Sequence, residues 1–183
     1  MTRIALVSGS PSEPSRLAAA LKWLSEHFEA HGIDTQTILV RDLPPEDLLL
    51  ARTQSATISR VNQIILDADA VVIGTPIYKA SYTGVLKAYL DLLPTGALEN
   101  KPVLPVAVGG TIAHLLALEY ALKPVLSVLG ATALEKSVFG LDTQFIRNES
   151  PGGYDIAPDL QERLSEAVQA LLKRFDPVAL RLS

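Results

Sequence analysis

Three short stretches carry more polar handles than simple turns require. "GSPSEPSRL", Gly9 to Leu17, offers hydroxyls on Ser10, Ser12 and Ser15, followed at once by Arg16. If a helix opens at Ser15, its first N–H groups are free and sit at the positive end of the helix dipole. With Arg16 beside them they suit a phosphate monoester. "GTPIYKASYTG", Gly74 to Gly84, leaves an apolar run through Thr75-Pro76, which forces an extended exit. Tyr78 and Tyr82 then have the shape to line a planar ligand, with Ser81 and Gly84 opening the next helix. "GGTIAH", Gly109 to His114, pairs glycines that let a ligand approach the backbone closely, and Thr111 can cap the helix after them. Taken singly, each stretch reads equally well as an ordinary connection. Ser15 is then a plain N-cap, the tyrosines are amphipathic rim residues, and the glycines make a strand-to-helix turn. The first stretch lacks GxGxxG, so it is no dinucleotide fingerprint.

The elements around these stretches decide between the readings. Arg3–Ser8, Thr35–Val40, Ala70–Gly74, Val103–Val108 (interrupted by Pro105) and Thr132–Phe139 read as five strands. Helical spacing covers Ser15–His31 with Gly32 as its cap, then Thr57–Asp67, Gly84–Leu93 up to Pro94, Ile112–Leu129 and Pro158–Arg174. Pro44–Arg52 reads as an irregular connection and Leu141–Ile156 as a glycine-containing loop. Strands alternating with helices predict a single α/β domain over 1–174, a doubly wound parallel sheet, with a C-terminal tail over 175–183. Right-handed crossovers leave the flavodoxin-like order 2-1-3-4-5 as the best match to five strands. In that order ligands bind beyond the carboxyl ends of the strands, just where all three polar stretches fall.

Composition narrows the chemistry. The 183 residues carry 16 basic and 20 acidic side chains, a net charge of −4, with no basic footprint for nucleic acid. With no cysteine, thiolate chemistry, disulfides and zinc–thiolate sites are excluded. His27, His31 and His114 are scattered without metal-ligand spacing, and Asp67 and Asp69 read as loop carboxylates. The N-terminus reads directly as a strand, and no apolar run is long enough to span a membrane, so a soluble cytoplasmic protein is expected. A 48% apolar fraction and a mean hydropathy of +0.26 point to apolar surface hidden in an oligomer.

A ligand with a terminal phosphate, a flexible linker and a flat polar ring would fill the three loops in order, a description that FMN meets. "GSPSEPSR", "TPIYKASYTGVLKAYLDLLP" and "GGTIAHLLALEYALKPVLSVLGA" together resemble the NADPH-dependent FMN reductases, in particular those of alkanesulfonate-utilising two-component monooxygenase systems. The similarity runs from Arg3 to about Arg174. It implies that Ser10, Ser15 and Arg16 contact the FMN phosphate. It also implies that Thr75, Pro76, Ile77 and Tyr78 border the ribityl chain and ring, and that Gly109, Gly110 and Thr111 lie along the isoalloxazine edge. It further implies NADPH as hydride donor, homodimers pairing into homotetramers, and delivery of reduced flavin to a monooxygenase. In one respect the chain departs from the pattern: the family usually has an arginine where Ser12 stands, and Glu13 adds a carboxylate beside it. Losing one charge-assisted contact should weaken phosphate binding by roughly 1–3 kcal/mol if nothing compensates.

Because hydride passes between two cofactors, the resemblance calls for no general acid or base. Two other readings stay open: a quinone or azo reductase with permanently bound FMN, and a flavodoxin-type electron carrier. The carrier fits least, because the chain is only mildly acidic and its one tryptophan, Trp23, lies in the first helix. In the long helix the polar positions His114, Glu119, Lys123 and Ser127 are spaced five, four and four. A step of five turns about 140°, whereas a step of four drifts about 40°. Either His114 belongs to the preceding loop, or one extra residue near Tyr120 makes a π-bulge. The resemblance implies the bulge, at a tetramer interface, and Pro124 adds irregularity there.

Overall fold

A computed structural model describes residues 2–175. The chain runs through β1 (Arg3–Ser8), α1 (Arg16–Ala30), β2 (Asp34–Leu39), α2 (Pro45–Leu49), α3 (Ala56–Asp67), β3 (Ala70–Pro76), α4 (Gly84–Leu90) and β4 (Pro102–Gly109). It continues through α5 (Lys123–Val128), the short strands β5 (Ala133–Leu134), β6 (Val138–Leu141), β7 (Phe145–Arg147) and β8 (Tyr154–Ile156), and α6 (Pro158–Phe175). Of the expected tail 175–183, Phe175 ends α6 and the remainder lies outside the described residues.

The apolar runs become strands because both of their faces are covered. β1, β3 and β4 are buried almost end to end, as a parallel sheet with helices on each side requires. Successive residues serve opposite cores. Leu6, Val72 and Val106 meet Leu24, Phe28 and Leu164 of α1 and α6, while Val7 and Ile73 meet Ile65, Leu86 and Leu122 on the other side. The order is β2-β1-β3-β4-β5, all parallel, so the flavodoxin-like architecture is present as expected.

The structure departs from the expected elements in three places. The fifth strand over Thr132–Phe139 is two pieces, β5 and β6, both paired to β4. The register explains it: Val103 pairs Leu134, yet Val106 pairs Val138, so the edge carries one extra residue. Val103 accepts from the Glu135 N–H at 2.9 Å, and strand alternation puts the nitrogen of Pro105 on that same side. Pro105 has no N–H to give. The interruption read into the fourth strand therefore falls on its neighbour, and β4 itself is continuous.

The connection Pro44–Arg52 contains α2, which starts with Pro45 preset for a helix and Glu46 and Asp47 in the first turn. The loop Leu141–Ile156 holds a 3-10 turn, Asp142–Gln144, and the antiparallel pair β7–β8. The long helix Ile112–Leu129 holds the expected widening around Tyr120: a π-helical stretch at Leu118–Leu122 follows a 3-10 turn at Ile112–His114 and leads into α5. Pro124 has no N–H for the carbonyl of Tyr120, and the wide turn just before it relieves the clash with its ring. Among the described residues no helix is long and apolar enough to cross a membrane.

Candidate functional site

Beyond the carboxyl ends of β1, β3 and β4 the three polar loops are held as one unit. Gly9 donates to the Gly74 carbonyl at 2.8 Å, and a Cβ at Gly9 would come within 2.7 Å of Leu86 Cβ and 3.0 Å of that carbonyl. Only glycine lets the first loop lie this close to the third strand and α4. The Thr83 hydroxyl donates to the Gly9 carbonyl at 2.6 Å and accepts from the Leu86 N–H at 3.1 Å, so one buried side chain both caps α4 and tethers the first loop. Thr75 completes the tie. Its hydroxyl accepts from the Thr83 N–H at 3.1 Å and donates to the Pro76 carbonyl at 2.9 Å.

A cleft of about 170 Å³ opens above these ties. On one wall is the start of α1. The Ser15 hydroxyl caps it by accepting from the Ala18 N–H at 3.1 Å, and among the described residues the N–H groups of Arg16 and Leu17 have no partner. Arg16 reaches into the cleft with its Nε buried and unpartnered, its guanidinium 5.5 Å from the centre of the Tyr154 ring. The facing wall is Gly109 and Gly110, with Pro76, Ile77 and a half-exposed Tyr78 at the mouth. Asp142 enters from the turn after β6, and its Oδ1 stands 3.8 Å from Arg16 Nη1, too far for a hydrogen bond.

Of the residues singled out in the sequence, Ser10, Ser15, Arg16, Pro76, Ile77, Tyr78, Gly109 and Gly110 line this cleft, and Ser12 joins them. Others do not. Tyr82, expected beside Tyr78, packs partly buried against the core instead. Thr75 is fully buried behind the wall, and Thr111 caps the Ile112–His114 turn by accepting from Ala113. Tyr120, 79% exposed, stands in the π-helical stretch away from the cleft. The Ser10 hydroxyl is engaged within its own loop, donating to the Ser12 carbonyl at 3.0 Å.

Pro14, Leu17, Val108, Asp142 and Tyr154 line the cleft without having stood out in the sequence. Asp142 and Tyr154 come from the segment read as loop. Arg41, from the turn after β2, also went unnoticed. It pairs with Glu13 and, at 3.4 Å, with Asp42, and it donates to the Ser12 carbonyl at 3.1 Å, so the carboxylate beside the first loop has a counter-charge held outside the cleft. Arg16 and Asp142 are the charged residues that remain in the lining. A wider depression of about 770 Å³ lies beyond β5 against α6, but charged side chains such as Glu162, Glu166, Lys173 and Arg174 line it and it has no backbone cradle.

The family model of the NADPH-dependent FMN reductases matches residues 2–145. A protein of Pseudomonas putida named FMN reductase (NADPH) is 42% identical over 177 residues, covering 94% of this chain and 90% of its own. One of Escherichia coli with the same name is 41% identical over 167 residues, covering 91% and 86%. The crystal structure of an NADH:FMN oxidoreductase in its apo form superposes with a TM-score of 0.83 at 37% identity, covering 93% of this chain and 88% of that one. Sequence and fold agree, and the chain belongs to the NADPH-dependent FMN reductase family.

Proposed function

We propose that this protein reduces FMN with NADPH and releases the reduced flavin to a monooxygenase partner that acts on organosulfonates. The observation that carries the proposal is the start of α1: N–H groups at Arg16 and Leu17 without a partner among the described residues and a guanidinium with a buried unpartnered Nε, in a cleft that Gly109 and Gly110 also line. That set fits a phosphate at one end and a planar edge at the other. Arg16, Ser15 and the loop at Ser10 hold the phosphate. Pro76, Ile77 and Tyr78 border the chain and ring, with Thr75 as the fixed backing of that wall. Gly109, Gly110 and Thr111 flank the ring edge.

When bound, FMN supplies the hydride-accepting ring and NADPH supplies the hydride. The protein's own part is to bind, to orient and to leave the mouth accessible. At about 170 Å³ the cleft is smaller than an enclosing small-molecule pocket, which runs to roughly 300–1,000 Å³. A flavin ring bordered by the half-exposed Tyr78 would stay open to a nicotinamide. NADPH rather than NADH accords with the names of the two curated relatives, and the cytoplasm is where such a donor is at hand.

The purified protein is expected to oxidise NADPH at a rate that rises from near zero as FMN is added. A yellow preparation that reduces quinones or azo compounds without added FMN would sink the reading in favour of a permanently bound flavin.

We propose in addition that homodimers pair into a tetramer through the π-helical stretch. Tyr120 within that stretch, and Ile112, Leu116 and Val128 on either side of it, expose more than half of their surface, a set of apolar side chains that a monomer rarely leaves bare. Deleting Tyr120 would restore regular helical phase and turn the residues before it relative to those after it. Sedimentation of the deletion variant should show a shifted oligomer distribution and altered flavin content. An unchanged tetramer with unchanged flavin would remove Tyr120 from the interface.

A further inference from the structure

The proposed flavin cleft contains a carboxylate, Asp142, that makes no side-chain hydrogen bond among the described residues. Asp142 and Arg16 are both about two-fifths exposed and 3.8 Å apart, so they share charge without a hydrogen bond. The turn that presents Asp142 is rigidly braced. Gln144 accepts from the Leu141 N–H at 2.9 Å and from Arg163 at 3.0 Å, and it donates to Asp159. Arg163 also donates to the Phe139 carbonyl at 2.7 Å. Asp142 is thus held over the cleft by groups that do not include its own carboxylate. On the other side it borders Gly110, where an added Cβ would stand 3.6 Å from Asp142 Oδ2. With one cation and one anion in the lining, the formal charge offered to a phosphate is zero, leaving the helix dipole and N–H groups to attract it.

We infer that Asp142 is an affinity-setting residue: its carboxylate competes with the flavin phosphate for Arg16 and repels it, which keeps FMN exchangeable. The inference rests on the proposed function, since it takes FMN as the ligand of this cleft. A phosphate monoester carries close to two negative charges at neutral pH, so the carboxylate acts on it strongly, whereas riboflavin has no phosphate for it to act on.

The test is Asp142→Asn, with Asp142→Ser as a second variant, in titrations that follow flavin fluorescence on the apoprotein, plus flavin content after gel filtration. Both variants should bind FMN about fivefold or more tightly, on the scale of an exposed ion pair acting on a dianion. Riboflavin affinity should stay within about twofold, and the variants should emerge from the column carrying more flavin than the wild type. Unchanged or weakened FMN binding in both variants overturns the inference, weakened binding meaning that Asp142 instead orients Arg16. Equal tightening of FMN and riboflavin overturns it too. A wild-type protein that binds neither flavin fails the functional reading itself, before any variant is compared.

Discussion

Replacing Arg16 by alanine is expected to raise the dissociation constant for FMN about 10- to 100-fold while moving that for riboflavin less than about threefold. A hydrogen bond to a charged group contributes a net 1.5–3 kcal/mol, roughly 10- to 150-fold, and partial exposure of Arg16 trims the upper end. The substitution also strips Asp142 of its counter-charge, which stands 3.8 Å away, and so adds repulsion to lost attraction. The helix itself should survive, because its cap is the Ser15 hydroxyl and alanine is a better helix former than arginine. Equal weakening of both flavins, at an unchanged melting temperature, would show that Arg16 meets something other than a phosphate.

The largest effect on stability should come from Gly9→Ala. The new methyl would meet Leu86 Cβ at 2.7 Å and the Gly74 carbonyl at 3.0 Å, and neither atom can rotate away. Overpacking of a rigid interior costs about 1–3 kcal/mol and more when the backbone must shift. Here the shift would also stretch the bonds from Gly9 to Gly74 and from Thr83 to Gly9. A loss of about 3 kcal/mol corresponds to a melting temperature about 6–12 °C lower for a chain of this size. Gly84→Ala is the matched control: nothing lies within 4 Å of its Cβ position, and it opens α4. It should leave stability unchanged or raise it by up to about 1 kcal/mol. If the two variants melt together, the close approach at Gly9 does not constrain the loop.

The sheet was legible because the runs at Arg3–Ser8 and Ala70–Gly74 lack polar alternation and leave only a doubly covered strand as an answer. The meeting of the loops after Ser8, Gly74 and Val108 followed from strand order alone. What stayed hidden depended on partners distant in sequence. Thr83 looks like one more polar residue in a loop until its hydroxyl finds the Gly9 carbonyl, 74 residues away. The five-residue helix α2 is shorter than any periodicity can reveal. Arg41 reaches Glu13 across 28 residues, so the missing arginine at Ser12 gave no hint that the neighbouring carboxylate was already paired. Asp142 was invisible for a subtler reason: its place is decided by the register of β6.

That register works like a reading frame. Along β4 the partner number is 31 higher at Val103 and 32 higher at Val106, because the edge strand skips a beat beside the one residue that cannot donate to it. Were the frame unshifted, Gly109 would pair with Gly140 and every side chain after it would reach the cleft one step late, facing the other way. Leucine, not aspartate, would then stand beside Gly110. Pro105, buried in the middle of the sheet about 16 Å down the strand from that glycine, thereby selects which letter of the chain is read out at the cleft.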